Sequence, residues 1–493
     1  MSLINIIDLT FAYPGSYDNI FEHVFLQFDT EWKIGFIGRN GKGKTTLMKL
    51  LCNEYVHYGK IESKVKFEYF PFTIKNELFT VERIIEDINP NFEKWKIERE
   101  LNLLKTDIKV FDKKYNNLSK GEQTKVLLAV LFTKENTFLL IDEPTNHLDL
   151  YGREVLSNYL KQKTGFIVIS HDRYFLDNCI NHILSINKTT IEIQKGNCES
   201  YLQNKKNQNE FEYLQNKKIK SEIERLQTAG EQASKWSYKV ESTKFGGKQS
   251  NGLRPDRGRI GSKAAKMMKR ATVIENRYEK LIEEKSKLLK DIEREDVLKF
   301  NSKKYYSDTF LSIKELVIKY DGKSINKPLT FKISQGDRLA LCGKNGCGKT
   351  SIIKILLGEL KLYEGDVKIA SGLKISYVSQ NTAFLSGDIN EFCYNLKIDK
   401  SMLLTILYKF GFERIQFEKR IEQFSEGQKK KLLIAKSLCE EANLYIWDEP
   451  LNYIDIISRI QITDLILRNN PTMIFVEHDK YFREKISTQE INL

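Results

Sequence analysis

The chain has 493 residues, 41% hydrophobic and 29% charged, with a net charge of +13. That length allows two to four domains, and the composition is that of an ordinary globular protein rather than a disordered or fibrous one. Apolar runs such as Phe138 to Ile141 and Met473 to Val476 fall far short of the roughly 18 residues a membrane helix needs. Met1 to Asn5 show no basic region leading into an apolar core, so no signal peptide is expected. The cysteines, Cys52, Cys179, Cys198, Cys342, Cys347, Cys393 and Cys439, are scattered and form no C-x-x-C pair. A reducing compartment is expected, with no metal site at Cys342 and Cys347, which lack His or Cys neighbours.

In chain order, the first strong signal is Gly38-Arg39-Asn40-Gly41-Lys42-Gly43-Lys44-Thr45-Thr46. It matches G-x-x-x-x-G-K-[ST], lies after an apolar strand pattern from Trp32 to Ile37, and precedes a helical pattern from Leu47 to Leu51. Such glycines let backbone N–H groups close around oxyanions at a helix N-terminus. Lys44 is expected to reach the β- and γ-phosphates and Thr45 to hold Mg²⁺. Next come Leu118-Ser119-Lys120-Gly121-Glu122-Gln123, opening a helix, and an apolar strand ending in Asp142-Glu143. Pro144-Thr145-Asn146-His147-Leu148-Asp149 follows, then a strand ending in Ser170-His171-Asp172.

Residues 201–305 show no strand pattern and read as two long helices. The first is predicted from about Lys205 to Val240. The second carries a heptad seam on Met267, Ala271, Ile274, Tyr278, Leu281, Lys285, Leu288 and Ile292. Phe245 to Pro255, rich in Gly, Asn and Pro, separates them. An antiparallel hairpin about 35 residues long would reach roughly 50 Å. Lys235 to Arg270 hold eleven basic residues and two acids, net +9 in 36 residues. A cluster that dense suggests a polyanionic partner.

The motifs then recur. The second phosphate loop is Gly343-Lys344-Asn345-Gly346-Cys347-Gly348-Lys349-Thr350-Ser351, between a strand at Arg338 to Cys342 and a helix at Ile352 to Leu357. Phe424-Ser425-Glu426-Gly427-Gln428, a strand ending in Asp448-Glu449, Ile454-Asp455 and a strand ending in Glu477-His478-Asp479 complete the repeat.

This order resembles the ATP-binding cassette ATPases over nearly the whole chain outside the insert. The resemblance implies an α/β fold: two tandem P-loop domains, 1–200 and 306–493, joined by an α-helical hairpin over 201–305 with its tip at about 241–262. It implies that Asp142 and Asp448, with Thr45, Thr350 and Gln380, hold Mg²⁺. Glu143 and Glu449 would polarise the attacking water, and His171 and His478 would contact the γ-phosphate. Tyr13 and Tyr320 stand where the family stacks an aromatic on adenine. Each ATP would be sandwiched between halves: Lys44 facing Ser425 and Gly427, and Lys349 facing Ser119 and Gly121. Glu122 and Gln428 are counted with those helix starts. One departure is Phe72, which stands where the second half has Gln380. Phenylalanine cannot ligate Mg²⁺ or orient water, so the Lys44 site is expected to hydrolyse slowly or couple differently. The Asp455 segment also matches the pattern more loosely than its first-half counterpart.

Tandem cassettes, no membrane segment and a charged helical linker resemble the ABC-F class, whose members act on ribosomes. The stretch Asp256 to Arg270, with Phe11-Ala12-Tyr13 and Ile37-Gly38-Arg39-Asn40-Gly41, is most similar to Lsa-type antibiotic-resistance proteins. The resemblance implies a cytoplasmic, monomeric ATPase that binds the bacterial 70S ribosome near the tRNA exit site. It would relieve inhibition by lincosamides, streptogramin A and pleuromutilins through contacts with 23S rRNA and tRNA, without a membrane partner. Lys244, Phe245, Lys248, Arg254, Arg257 and Arg259 are the expected RNA contacts. Basic residues there suit salt-sensitive phosphate neutralisation, and Phe245 could stack on a base or pack inside the turn. The competing readings are a housekeeping ABC-F translation factor, expected to have a shorter linker, a transporter ATPase needing a separate membrane partner, and a DNA-maintenance ATPase, expected to have a longer coiled coil.

Overall fold

The computed structural model describes residues 2–242 apart from 16–18, 73, 75, 147 and 187–190. It also describes scattered positions in 262–281, residue 303, and residues 305–493 apart from 321, 322, 345 and 362. For residues 226, 227, 229–231, 233–242, 320 and 323 it describes backbone only. The six expected RNA contacts from Lys244 to Arg259 and Asn345 therefore lie outside the described residues, as does the Tyr320 side chain. The chain separates into two compact units, one of Met1–Tyr201 with Glu295–Leu493, the other Leu202–Arg294.

The expected α/β architecture with two P-loop cores is present. In the first half, a sheet runs in the order Lys66–Phe70, Thr137–Asp142, Phe166–Ile169, Lys33–Gly38, His182–Ile186, Ile191–Lys195, parallel except for the last pair. The second half repeats it as Ile375–Val378, Leu444–Asp448, Met473–Val476, Arg338–Cys342, Gln489–Asn492, all parallel. Phe166–Ile169 and Met473–Val476 are buried end to end. That is why they read as unbroken apolar runs: parallel strands are covered on both faces. The order sets the strands that end in the phosphate loop, the histidine and the paired carboxylates side by side. Their C-terminal ends form the crevice where open α/β sheets bind ligands. Each half adds an antiparallel sheet, Phe21–Asp29, Leu3–Phe11, Tyr58–Glu62 in the first, and one centred on Thr309–Tyr320 in the second.

In the insert, one helix runs from Cys198 to Ser242, 45 residues or ~68 Å at 1.5 Å per residue. It begins seven residues before the expected start because Asn197 supplies the first-turn bond, its Oδ1 accepting Ser200 N at 2.9 Å. The described residues of 262–281 are helical. Of the heptad seam, Tyr278 and Leu281 are described and helical, and the other six positions lie outside the described residues.

Candidate active site

Each phosphate loop passes into its helix through a glycine in the left-handed region, Gly43 at φ 93° and Gly348 at φ 97°. A Cβ on Gly43 would lie 2.7 Å from Ile20 Cγ2 and 2.9 Å from Phe21 Cζ, so glycine is needed for space as well as for φ. Neither helix, Lys44–Leu51 or Lys349–Leu356, has a side-chain cap. Their first-turn N–H groups are left for an anion. Lys44 Nζ donates to Gly38 O at 2.7 Å and Arg39 O at 3.1 Å. Lys349 Nζ donates to Gly343 O and Lys344 O, both at 2.9 Å. Burial lowers the Lys44 pKa, against the charges of Asp455, Glu143 and Asp142. Tyr13 is tied to the first loop's helix by its hydroxyl, 2.8 Å from Thr46 Oγ1, with its ring edge-on to Phe11 and Tyr55.

The carboxylates stand beside the loops. Thr45 Oγ1 donates to Asp142 Oδ2 at 2.7 Å, and Thr350 Oγ1 to Asp448 Oδ2 at 3.2 Å. Asp448 Oδ1 is buried with no hydrogen-bond partner. Burial and the adjacent Glu449 push the Asp448 pKa up to about 6. Glu143 and Glu449 both sit at positive φ, 50° and 46°, strain of the kind proteins concentrate at functional sites. Their N–H groups are held by Ile169 O at 2.9 Å and Val476 O at 3.0 Å, each from the neighbouring strand that ends in a histidine.

The two glutamates differ in what holds them. Glu449 Oε2 accepts Gln380 Nε2 at 2.9 Å and Asn452 Nδ2 at 2.6 Å, and Oε1 lies 3.7 Å from His478 Nε2. Burial works to raise its pKa, but His478, Asn452 and Gln380 outweigh it and hold the carboxyl down to about 2. Glu143 lies 3.2 Å from His171 Nε2, yet neither of its buried oxygens has a hydrogen-bond partner. Burial, then the Asp142 charge, pushes its pKa up to about 8. Burial with the Lys44 and Arg459 charges drives His171 well below the usual imidazole value. Phe72, partly buried, offers no donor. Tyr69, three residues earlier, donates its hydroxyl to Asp142 Oδ2 at 3.0 Å. Tyr69 and Asn452 were not among the expected site residues. Asn452 has a sequence signal in its match to Asn146, each lying three residues after its glutamate.

The halves meet at these sites. Ser119 and Ser425 cap the helices Lys120–Leu131 and Glu426–Cys439, and Glu122 and Gln428 close capping boxes back onto those serines. A cavity of about 690 Å³ is lined by Gly346, Gly348, Lys349, Thr350, Ser351, Gln380, Glu449 and His478 of the second half. Ser119, Gly121, Glu122, Asn146 and Asp149 of the first half line its other wall. The first loop touches the second half directly. Asn40 Nδ2 donates to Tyr453 O at 2.7 Å, and Lys42 pairs with Glu413 at 3.0 Å. A Cβ on Gly427 would collide with Tyr453 O and lie 2.8 Å from Asn40 Nδ2. Just beyond each histidine the halves interlock again. Arg173 lies over the Tyr481 ring at 4.5 Å and Lys480 over the Tyr174 ring at 4.5 Å. Asp149 and Asp455 cap the helices Leu150–Lys161 and Ile456–Asn469. Only Asp455 also forms a buried pair, with Lys431 at 2.6 Å.

Among the described residues no helix is long and apolar enough to cross a membrane, and no cluster of three His, Cys, Asp or Glu side chains could hold a metal. The chain matches the ABC transporter family over residues 21–146 and again over 326–452, and it belongs to that family. Its paired phosphate loops and carboxylates are those of an ATP-binding ATPase. It is 28% identical over 507 residues to the ATP-binding protein Uup of Buchnera aphidicola subsp. Acyrthosiphon pisum, covering 98% of this chain and 79% of that protein. It is 27% identical over 498 residues to the ribosome protection protein VmlR of Bacillus subtilis, covering 97% and 85%. An archaeal ribosome recycling factor, aABCE1, solved with the stalk protein aP1, shares the fold at a TM-score of 0.64 and 19% identity, over 98% of this chain and 87% of that one. The tandem cassettes, with Uup and VmlR as relatives, support an ABC-F ATPase.

Proposed function

We propose that this chain is an ATP-hydrolysing ribosomal protection protein of the Lsa type. In this reading it works in the cytoplasm as a monomer, binds the bacterial 70S ribosome near the tRNA exit site, and relieves inhibition by lincosamides, streptogramin A and pleuromutilins. The observation that carries the reading is the insert. A 45-residue helix leads into a segment whose sequence carries net +9, between two cassettes that together line a cavity of about 690 Å³. Similarity to VmlR, a ribosome protection protein, supports it. A housekeeping translation factor of the same class is the second reading, favoured by the equal similarity to Uup. The domains in this reading are 1–200, 201–305 and 306–493.

The chemistry proposed for each site is in-line attack of water on the γ-phosphorus of ATP, with ADP leaving. Lys44 and Lys349 move from their loop carbonyls to the β- and γ-phosphates. Glu449, oriented by Gln380 and Asn452, accepts a proton from the attacking water. His478 and the helix start from Ser119 to Gly121 hold the γ-phosphate. Glu143, His171, Ser425 and Gly427 take the matching parts at the Lys44 site. Thr350, Asp448 and Gln380 are the residues that would hold Mg²⁺ in one site, Thr45 and Asp142 in the other, and the orphaned Asp448 Oδ1 suits such an ion. Bound there, Mg²⁺ would neutralise negative charge on the phosphates.

Expression in a drug-sensitive bacterium tests the function. Minimum inhibitory concentrations for a lincosamide and a pleuromutilin should rise. Removing Gly246 to Gly252 should abolish the rise while ribosome co-sedimentation in ATP survives. No rise with the intact chain would favour the housekeeping reading.

A further inference from the structure

The helix Glu426–Cys439 serves both composite sites. Its start, Ser425 to Gly427, lies against Asn40 of the first phosphate loop. One turn on, Lys430 is only 1% exposed. Its ammonium donates to Ser379 O at 2.8 Å and to Glu449 O at 3.2 Å. Those carbonyls belong to the other site: Ser379 precedes Gln380, and Glu449 accepts the Gln380 amide. On the far side of Gln380, the Thr382 hydroxyl donates to Glu426. Gln380 is therefore bracketed by two side chains of one helix turn. Burying an ammonium is costly unless it is paired and hydrogen-bonded. Burial brings the Lys430 pKa down to about 8, against the charges of Glu477, Asp448 and Glu449. Among the described residues, the first half has no such bracket. Thr124 stands at the position of Lys430 and returns its hydroxyl to Lys120 O of its own helix, and Lys120 replaces Glu426.

We propose that Lys430 is a positioning residue that transmits the state of the Lys44 site to the Lys349 site, by fixing the Ser379–Thr382 loop and the Glu449 backbone to the helix that faces the first phosphate loop. With Thr124 in the matching place, no equivalent strut runs the other way among the described residues. The proposal rests on the reading of Glu449 as the group that accepts the proton of the attacking water.

The test uses the purified full-length protein and steady-state ATP hydrolysis. Lys430→Met should lower kcat about tenfold while KM for MgATP stays within about twofold, since the phosphate loop is untouched. Lys430→Arg should restore most of kcat. Ser425→Arg should also slow turnover. The Ser425→Arg/Lys430→Met double variant should be no slower than the slower single variant, because both cut one route. Parental kcat in Lys430→Met overturns the proposal. So does a parallel loss of kcat, KM and melting temperature that Arg does not rescue, and so does a double variant whose loss is the product of the two single losses. If Lys430→Met does not fold, Lys430→Gln, which keeps one donor, carries the same comparison. Glu449→Gln separates the two failures. Parental turnover in Glu449→Gln overturns the reading of Glu449 and the coupling with it. Abolished turnover in Glu449→Gln beside parental turnover in Lys430→Met overturns the coupling alone.

Discussion

The Lys44 site and the Lys349 site use the same motifs, yet the groups around the motifs differ. At the Lys349 site, Glu449 is oriented by Gln380 and Asn452, and the loop opens on a cavity of about 690 Å³. At the Lys44 site, the Glu143 carboxylate oxygens have no hydrogen-bond partner, and Phe72 replaces the glutamine. Asn40 there is engaged by Tyr453 O of the opposite half. Motif residues put the reacting parts in place. Their neighbours, Asn452 three residues on and Gln380 just past the end of the adjacent strand, decide whether a carboxylate is aimed.

The largest difference should appear in single glutamate variants. A positioned general base is worth about 10²–10⁴-fold. Glu449→Gln should therefore lower steady-state ATPase activity by about 10³-fold, and Glu143→Gln only several-fold, with ATP binding retained in both. Equal losses, or a larger one from Glu143→Gln, would show that the orienting groups do not rank the sites.

A second difference lies in stability. Lys431 and Asp455 form a buried pair at 2.6 Å, with Lys431 also donating to Phe410 O at 2.9 Å. The matching Lys125 is half-buried, and burial lowers its pKa against the charges of Asp149 and Glu122. Removing one partner of a buried pair strands the other charge, so Lys431→Met should cost about 3 kcal/mol or more. Lys125→Met should cost about 1 kcal/mol or less. Denaturant unfolding of the two variants measures both, and similar costs would remove this distinction.

The parallel sheets, both phosphate loops, the paired carboxylates and the histidines were legible because each is a local pattern: an apolar run, a turn and a helix start within about ten residues. The asymmetry at Phe72 was also legible, as a missing amide. The rest depends on distant partners. Lys430 meets Ser379 across 51 residues, and Tyr69 meets Asp142 across 73. No periodicity marks such pairs. The early start of the long helix has a local signal too: Asn197 caps it, and the buried Cys198 and Tyr201 stand three residues apart on one face.

Against these asymmetries stands one reciprocal element. Arg173 covers Tyr481 and Lys480 covers Tyr174, each two or three residues after a histidine of the active sites. Both contacts cross between halves, so they stabilise the closed arrangement without holding either half together. Cation–π pairs at partly exposed rings are worth about 0.5–1 kcal/mol. Tyr174→Ala and Tyr481→Ala should each raise the ATP concentration for half-maximal closure by about two- to fivefold. Energy transfer between dyes on the two halves reads closure directly. The double variant should show roughly the product of the two shifts, since the pairs share no residue. Because the element is reciprocal, the two single shifts should match even though Glu143 and Glu449 do not. A shift from one tyrosine only would place the asymmetry in the closing motion as well as in the chemistry.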